Sequence, residues 1–241
     1  MRVLLLGGTT EARRLAGMIA GEVTVITSLA GRTRDPLLPA GEVRIGGFGG
    51  VDGLAGYLPE QRIDAVVDAT HPFAAAISEN AFRACAATGV PLMILRRPGW
   101  TAGPGDEWHR VASLPEAATV LPRLGRRVFL TTGRQGLACF AGLDECWFLA
   151  RSVEPPAPPV PRRLEVLLDR GPFTVAGERD LITRHRLDVL VTKDSGGADA
   201  KLVAARELGV PVLMVDRPPL PDAASVSTPD AAARWLRVLR R

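Results

Sequence analysis

A chain of 241 residues with a formal net charge of +4 suits one large domain or two small ones, and is long enough to bury a substantial core. No stretch has the length and apolarity of a membrane-crossing helix, and the opening residues lack the pattern of a secretory leader, so the expected compartment is the cytoplasm. Cys85, Cys139 and Cys146, with His71, His109 and His185, show neither metal-ligand spacing nor a disulfide framework, and a positive charge spread along the chain argues against nucleic acid.

The apolar run Val3-Leu4-Leu5-Leu6 predicts a strand at 2–7. It breaks into Gly7-Gly8-Thr9-Thr10, after which Ala12, Leu15, Ala16 and Ile19 recur at helical spacing over 10–20. A strand, a glycine turn and a helix N-terminus in that order offer free backbone N–H groups to a phosphate, and the threonines add hydroxyls. Glu11 stands where the third glycine of a dinucleotide fingerprint would fall, so the motif is partial; a capped strand-to-helix turn accounts for the same letters.

The next strand, 23–27, ends in Ser28-Leu29-Ala30-Gly31-Arg32-Thr33. An NAD site would carry a carboxylate there for the ribose 2′-hydroxyl. Ser28, Arg32 and Thr33 are donors suited to a 2′-phosphate, which favours NADP; the alternative is a polar loop facing water. A strand at 42–46 leads into Gly46-Gly47-Phe48-Gly49-Gly50, where Gly47 and its neighbours permit close backbone approach to a nucleotide, or simply a flexible loop. A helix at 51–61 and a strand at 64–69 follow. That strand ends in Asp68-Ala69-Thr70-His71-Pro72-Phe73, which puts Thr70 and His71 against a cofactor or substrate. Otherwise Asp68 and Thr70 cap the helix at 74–88 and His71 is satisfied locally. No catalytic residue is assigned; His71 is the only candidate acid or base, and a lone histidine more often has a local role.

After a strand at 91–95, Pro98-Gly99 and Gly103-Pro104-Gly105 break the periodicity, so 97–106 is the expected linker, dividing a domain at 1–97 from a second at 98–241. The second half predicts strands at 108–112, 127–132, 146–152, 164–168, 188–192 and 211–215, with helices at 114–124, 134–141, 174–186, 198–208 and 229–240. Alternating strands and helices with short turns predict an α/β fold with mostly parallel sheets. The prolines between 155 and 161 read as a stiff loop. The halves echo each other: Asp64-Ala65-Val66-Val67-Asp68-Ala69-Thr70 matches Asp188-Val189-Leu190-Val191-Thr192-Lys193-Asp194, and each run leads through a helix to Gly-Val-Pro and then to Arg-Pro. Two similar lobes would place a ligand cleft between them.

In the second half, Thr131-Thr132-Gly133-Arg134 repeats the polar glycine turn, with Arg134 placed to bind a carboxylate. Thr192-Lys193-Asp194-Ser195-Gly196-Gly197 ends another strand. Lys193 and Lys201 are the only lysines in an arginine-rich chain, either by chance or because the site needs a compact ammonium. Walker-type hydrolysis, a G-x-S-x-G nucleophile and a tyrosine–lysine dehydrogenase pair are all absent from the pattern.

Taken together, Leu6–Ala12, Ser28–Thr33, Gly46–Gly50, Asp68–Ala74, Ile77–Asn80, Thr132–Arg134 and Lys193–Gly197 make the chain resemble the precorrin-6A reductase family over nearly its whole length. The resemblance implies two Rossmann-like lobes with a cleft between them. It also implies NADPH on the first lobe, and reduction of one double bond of precorrin-6A to precorrin-6B in cobalamin biosynthesis. The partner is then a polycarboxylate tetrapyrrole; the oligomeric state, a monomer included, is left open. On this reading Gly7, Gly8, Thr9, Thr10, Ser28, Arg32, Thr33, Gly47, Thr70 and His71 bind the cofactor, while Arg134, Lys193, Ser195 and Lys201 bind substrate. The competing readings are another NADPH-dependent reductase on the same scaffold, or a non-catalytic two-lobe binding protein.

Overall fold

A computed structural model describes residues 1–31 and 37–241. In β1 (Arg2–Leu6), Val3, Leu4, Leu5 and Leu6 are all buried, because both faces of the strand are covered, as parallel sheets require. α1 (Thr10–Ile19) buries its Ala12, Leu15, Ala16 and Ile19 face against Val3 and Leu5. β2 (Thr24–Leu29), β3 (Glu42–Ile45), α2 (Gly50–Glu60), β4 (Ala65–Asp68), α3 (Ala75–Thr88) and β5 (Leu92–Leu95) follow. Leu4 and Leu6 point to the opposite face from Val3 and Leu5, and pack with Leu54, Leu58, Ala81 and Ala84 of α2 and α3. Cys85 lies in that cluster, and burial pushes its thiol up to about 12.

The second set begins with β6 (Trp108–Val111), α4 (Leu114–Val120), β7 (Arg127–Leu130), β8 (Trp147–Ser152) and β9 (Leu164–Leu168). α5 (Val175–His185), β10 (Val189–Lys193), α6 (Ala200–Glu207), β11 (Val212–Val215), β12 (Ser225–Val226) and α7 (Pro229–Leu239) complete the chain. Two expected helices are altered. The one at 114–124 ends as a 3-10 turn, Leu121–Arg123, where Pro122 removes a backbone donor. The one at 134–141 is a 3-10 helix, Arg134–Phe140, in which a Cβ at Gly136 would lie 2.7 Å from the Thr132 hydroxyl.

Two six-stranded sheets result, with orders β12-β5-β4-β1-β2-β3 and β6-β11-β10-β7-β8-β9, and every pairing is parallel. The orders correspond strand for strand, except that each sixth strand comes from the other half of the sequence. β6 follows β5 along the chain yet joins the second sheet; β12 follows β11 yet joins the first. The compact units are therefore Met1–Pro98 with Pro218–Arg241, and Gly99–Arg217. This corrects a single division at 97/98: residues 218–241 return to the first unit because β12 pairs with β5 and α7 covers α1.

The repeat extends to detail. Asp64 Oδ2 accepts from the Arg2 amide at 2.7 Å, and Asp188 Oδ1 accepts from the Arg127 amide at 2.8 Å. Each carboxylate closes the start of the neighbouring central strand, where the first amide lacks a ladder partner.

Candidate functional site

The C-terminal edge of the first sheet collects most of the expected cofactor residues. The Gly7 amide donates to Ser28 O at 2.9 Å, and a Cβ at Gly7 would come within 2.8 Å of Thr27 Cγ2, so this turn needs glycine where it lies against the end of β2. Gly8 has φ +107°, a left-handed conformation that favours glycine. Thr9 is the N-cap of α1: its Oγ1 accepts from the Ala12 amide at 3.1 Å and donates to Ala69 O at 2.7 Å. Its hydroxyl therefore holds the turn against the end of β4. The backbone amides of the first turn of α1, which have no intrahelical partner, remain the groups suited to a phosphate. Thr10 Oγ1 accepts from Arg13 Nη2 at 3.1 Å, and Glu11 pairs with Arg97 at 2.7 Å.

Thr70, His71 and Gly47 lie on the same edge as Ser28, after β4 and β3. Asp68, 2 % exposed, organises the turn beyond β4. Its Oδ1 accepts from the Thr70 amide at 3.0 Å and the Thr70 hydroxyl at 2.7 Å, and its Oδ2 accepts from Ser78 at 2.5 Å. His71 Nδ1 accepts from the Phe73 amide at 3.2 Å, which leaves the proton of a neutral ring on Nε2. An open recess of about 210 Å³, including its mouth, is lined by Asp68, Thr70, His71, Ser78, Arg96 and Leu220. The described residues that end β2, 28–31, contain no carboxylate, and Ser28 is the hydroxyl there. A glycine turn followed by a helix N-terminus is a place where the phosphates of a dinucleotide could be held. Arg32 and Thr33 lie outside the described residues.

In the second unit, Lys193 and Ser195 flank Asp194 at the end of β10. Asp194, 5 % exposed, is the anchor of that segment. Its carboxylate accepts from the Trp100 amide at 3.0 Å and from Arg110 Nη2 at 3.0 Å, while Arg217 Nε donates to its carbonyl at 2.6 Å. Arg110 also reaches Asp216 at 2.6 Å. Burial works against the Arg110 cation, but both carboxylates outweigh it and raise its pKa. Trp100 Nε1 donates to Gly197 O at 3.0 Å, and Lys201 Nζ sits 5.1 Å from the Trp100 ring centroid. Arg134 opens the 3-10 helix after β7 and pairs with Glu154 at 2.8 Å, so an incoming carboxylate would compete with Glu154.

The alternative that Asp68 and Thr70 cap the helix at 74–88 is corrected: Ala74 is the N-cap, without a side-chain bond, and Asp68 instead ties Thr70 to Ser78. Nothing in the sequence marked Asp194 as the residue that orders its turn. Trp100 and Arg110 gave no signal, because their partners lie far along the chain. Asp194→Ala is expected to lower stability by about 2–3 kcal/mol in urea unfolding, since charged hydrogen bonds to a buried acceptor are lost. A change below about 0.5 kcal/mol would mean that other contacts hold the segment.

Residues 2–237 match the family described as Precorrin-6x reductase CbiJ/CobK. The chain is 55% identical to the precorrin-6A reductase of Rhodococcus erythropolis, over 100% of this chain and 99% of that protein. It is 50% identical to the precorrin-6A reductase of Mycobacterium tuberculosis, over 98% and 97%. A solved structure of CobK precorrin-6A reductase matches with TM-score 0.93 at 44% identity, covering 99% of this chain and 97% of that one. On this full-length agreement in sequence and in fold, the chain belongs to the precorrin-6x reductase family.

Proposed function

We propose that this chain reduces one double bond of precorrin-6A to give precorrin-6B in cobalamin biosynthesis, and that it uses NADPH in the cytoplasm. The observation that carries the reaction is family membership over the whole chain. Support for a phosphorylated nicotinamide cofactor is local: the Gly7-Gly8 turn, the N-terminus of α1, and a strand end at Ser28 that carries no carboxylate among the described residues 28–31.

A bound nicotinamide supplies the hydride. Backbone amides around Gly8, Thr9 and Thr10 take the pyrophosphate, with Gly7 allowing the close approach. Ser28, Arg32 and Thr33 would take the 2′-phosphate, and Gly47, Thr70 and His71 would lie against the cofactor. Arg134, Lys193, Ser195 and Lys201 hold and orient the macrocycle through its carboxylates. Asp68 and Asp194 are positioning residues, which set the backbone on which Thr70, Lys193 and Ser195 sit.

Titration of the purified protein with NADPH and NADH, followed by nicotinamide fluorescence, tests the cofactor reading. NADPH is expected to bind at micromolar concentration and NADH far more weakly. Arg32→Ala should weaken NADPH by about 1–3 kcal/mol and leave NADH unchanged. Equal loss for both would remove Arg32 from the 2′-phosphate, and a folded protein that binds neither nucleotide would refute the NADPH reading.

A further inference from the structure

A second cation stands at the end of β2. Arg44 of β3 is the register partner of Ser28, so the two side chains emerge side by side. Arg44 Nη1 donates to Ser28 Oγ at 2.8 Å and to Gly46 O at 2.9 Å, and Nη2 donates to Gly47 O at 3.0 Å. Its guanidinium carbon lies 3.8 Å from the Phe48 ring centroid and 5.2 Å from that of Tyr57. Phe48 is itself held close, since a Cβ at Gly53 of α2 would run into the Phe48 carbonyl. Three hydrogen bonds and two aromatic rings thus immobilise a side chain that usually moves freely.

All of these partners are neutral. Among the described residues no carboxylate pairs with Arg44, although Arg2, Arg97, Arg110, Arg134 and Arg151 each have one. A fixed, half-buried guanidinium without a counter-charge is an anion site, and its remaining N–H groups are free to add a forked contact. Ser28 accepts from Arg44 and so keeps its own proton for an oxygen acceptor. In this fold the end of the second strand meets the adenosine ribose.

We infer that Arg44, acting with Ser28, is a further residue that reads the 2′-phosphate, in addition to those proposed above, and that it contributes to the preference for NADPH over NADH. The inference rests on the reading that the first unit binds a nicotinamide dinucleotide. The ligand group is a phosphate monoester carried on a ribose, as distinct from free phosphate.

The full chain, Arg44→Ala and Arg44→Lys are titrated with NADPH, NADH, 2′,5′-ADP, 5′-AMP and inorganic phosphate, read as heat or nicotinamide fluorescence. Arg44→Ala is expected to weaken NADPH and 2′,5′-ADP roughly ten- to hundredfold, and NADH and 5′-AMP by less than about threefold. Arg44→Lys should recover part of the loss, because it keeps the charge without the fork or the stack. The NADPH-to-NADH ratio within one variant controls for any change in folding. Equal weakening of both dinucleotides, or none, overturns the inference while wild-type selectivity leaves the cofactor reading standing. A wild type that binds neither dinucleotide overturns that reading itself. Inorganic phosphate competing as well as 2′,5′-ADP replaces the nucleotide assignment with a general phosphate site.

Discussion

Deleting residues 218–241 is expected to unfold the first unit and leave the second folded. β12 completes the sheet edge, where Ile94 N donates to Ala224 O and Arg96 N to Val226 O, both at 2.9 Å. α7 then buries Ala232, Ala233 and Leu236 against Val3, Leu5, Leu15 and Ile19. Leu236→Ala alone should cost about 2–5 kcal/mol, so loss of the whole helix removes a large part of the roughly 5–15 kcal/mol that stabilises a typical domain. Residues 99–217 keep all six strands of their sheet. Amide exchange separates the units: in the truncated chain β1 amides should exchange rapidly while β10 amides stay protected. Protected β1 amides would show that the first five strands hold without their cover.

Glu178→Ala is expected to cost about 3–5 kcal/mol in chemical unfolding. Glu178, 1 % exposed in the first turn of α5, meets Arg151 of β8 at 2.8 Å. Apart from this contact, neither carboxylate oxygen has a hydrogen-bond partner among the described residues, so attraction between the charges is what compensates their removal from water. The Arg151 guanidinium lies 3.6 Å from the Phe173 centroid and 5.0 Å from that of Phe129, a slot with little room for water. Without Glu178 the cation stays buried among rings. The double variant Arg151→Met/Glu178→Leu should recover most of the loss, because apolar groups of similar volume often replace such a pair without penalty. A single variant that loses less than about 1 kcal/mol would mean that water reaches the pair.

What the sequence made legible depends on how local the cause is. β1, β4 and β10 announced themselves because a strand covered on both faces must be a continuous apolar run. Thr9 was legible as a cap, since it needs only the Ala12 amide three residues away. Its second bond, to Ala69, spans 60 residues and left no mark. β12 went unseen because Ser225-Val226 is too short to show any period, and its partner β5 is more than a hundred residues earlier. Arg44 escaped for a related reason. In an edge strand it reads as an ordinary solvent-facing charge, and only register brings it to Ser28.

The connectivity of the two sheets leaves the chain ends as neighbours. Met1 packs in the cluster that holds Leu236, its carbonyl accepts from the Thr24 amide at 3.0 Å, and Arg240 donates to Glu22 O at 2.9 Å. A short linker from Arg241 to Met1, with new ends opened between Arg217 and Pro218, would write each unit as one uninterrupted segment. In that order each sheet would draw its six strands from one stretch of chain.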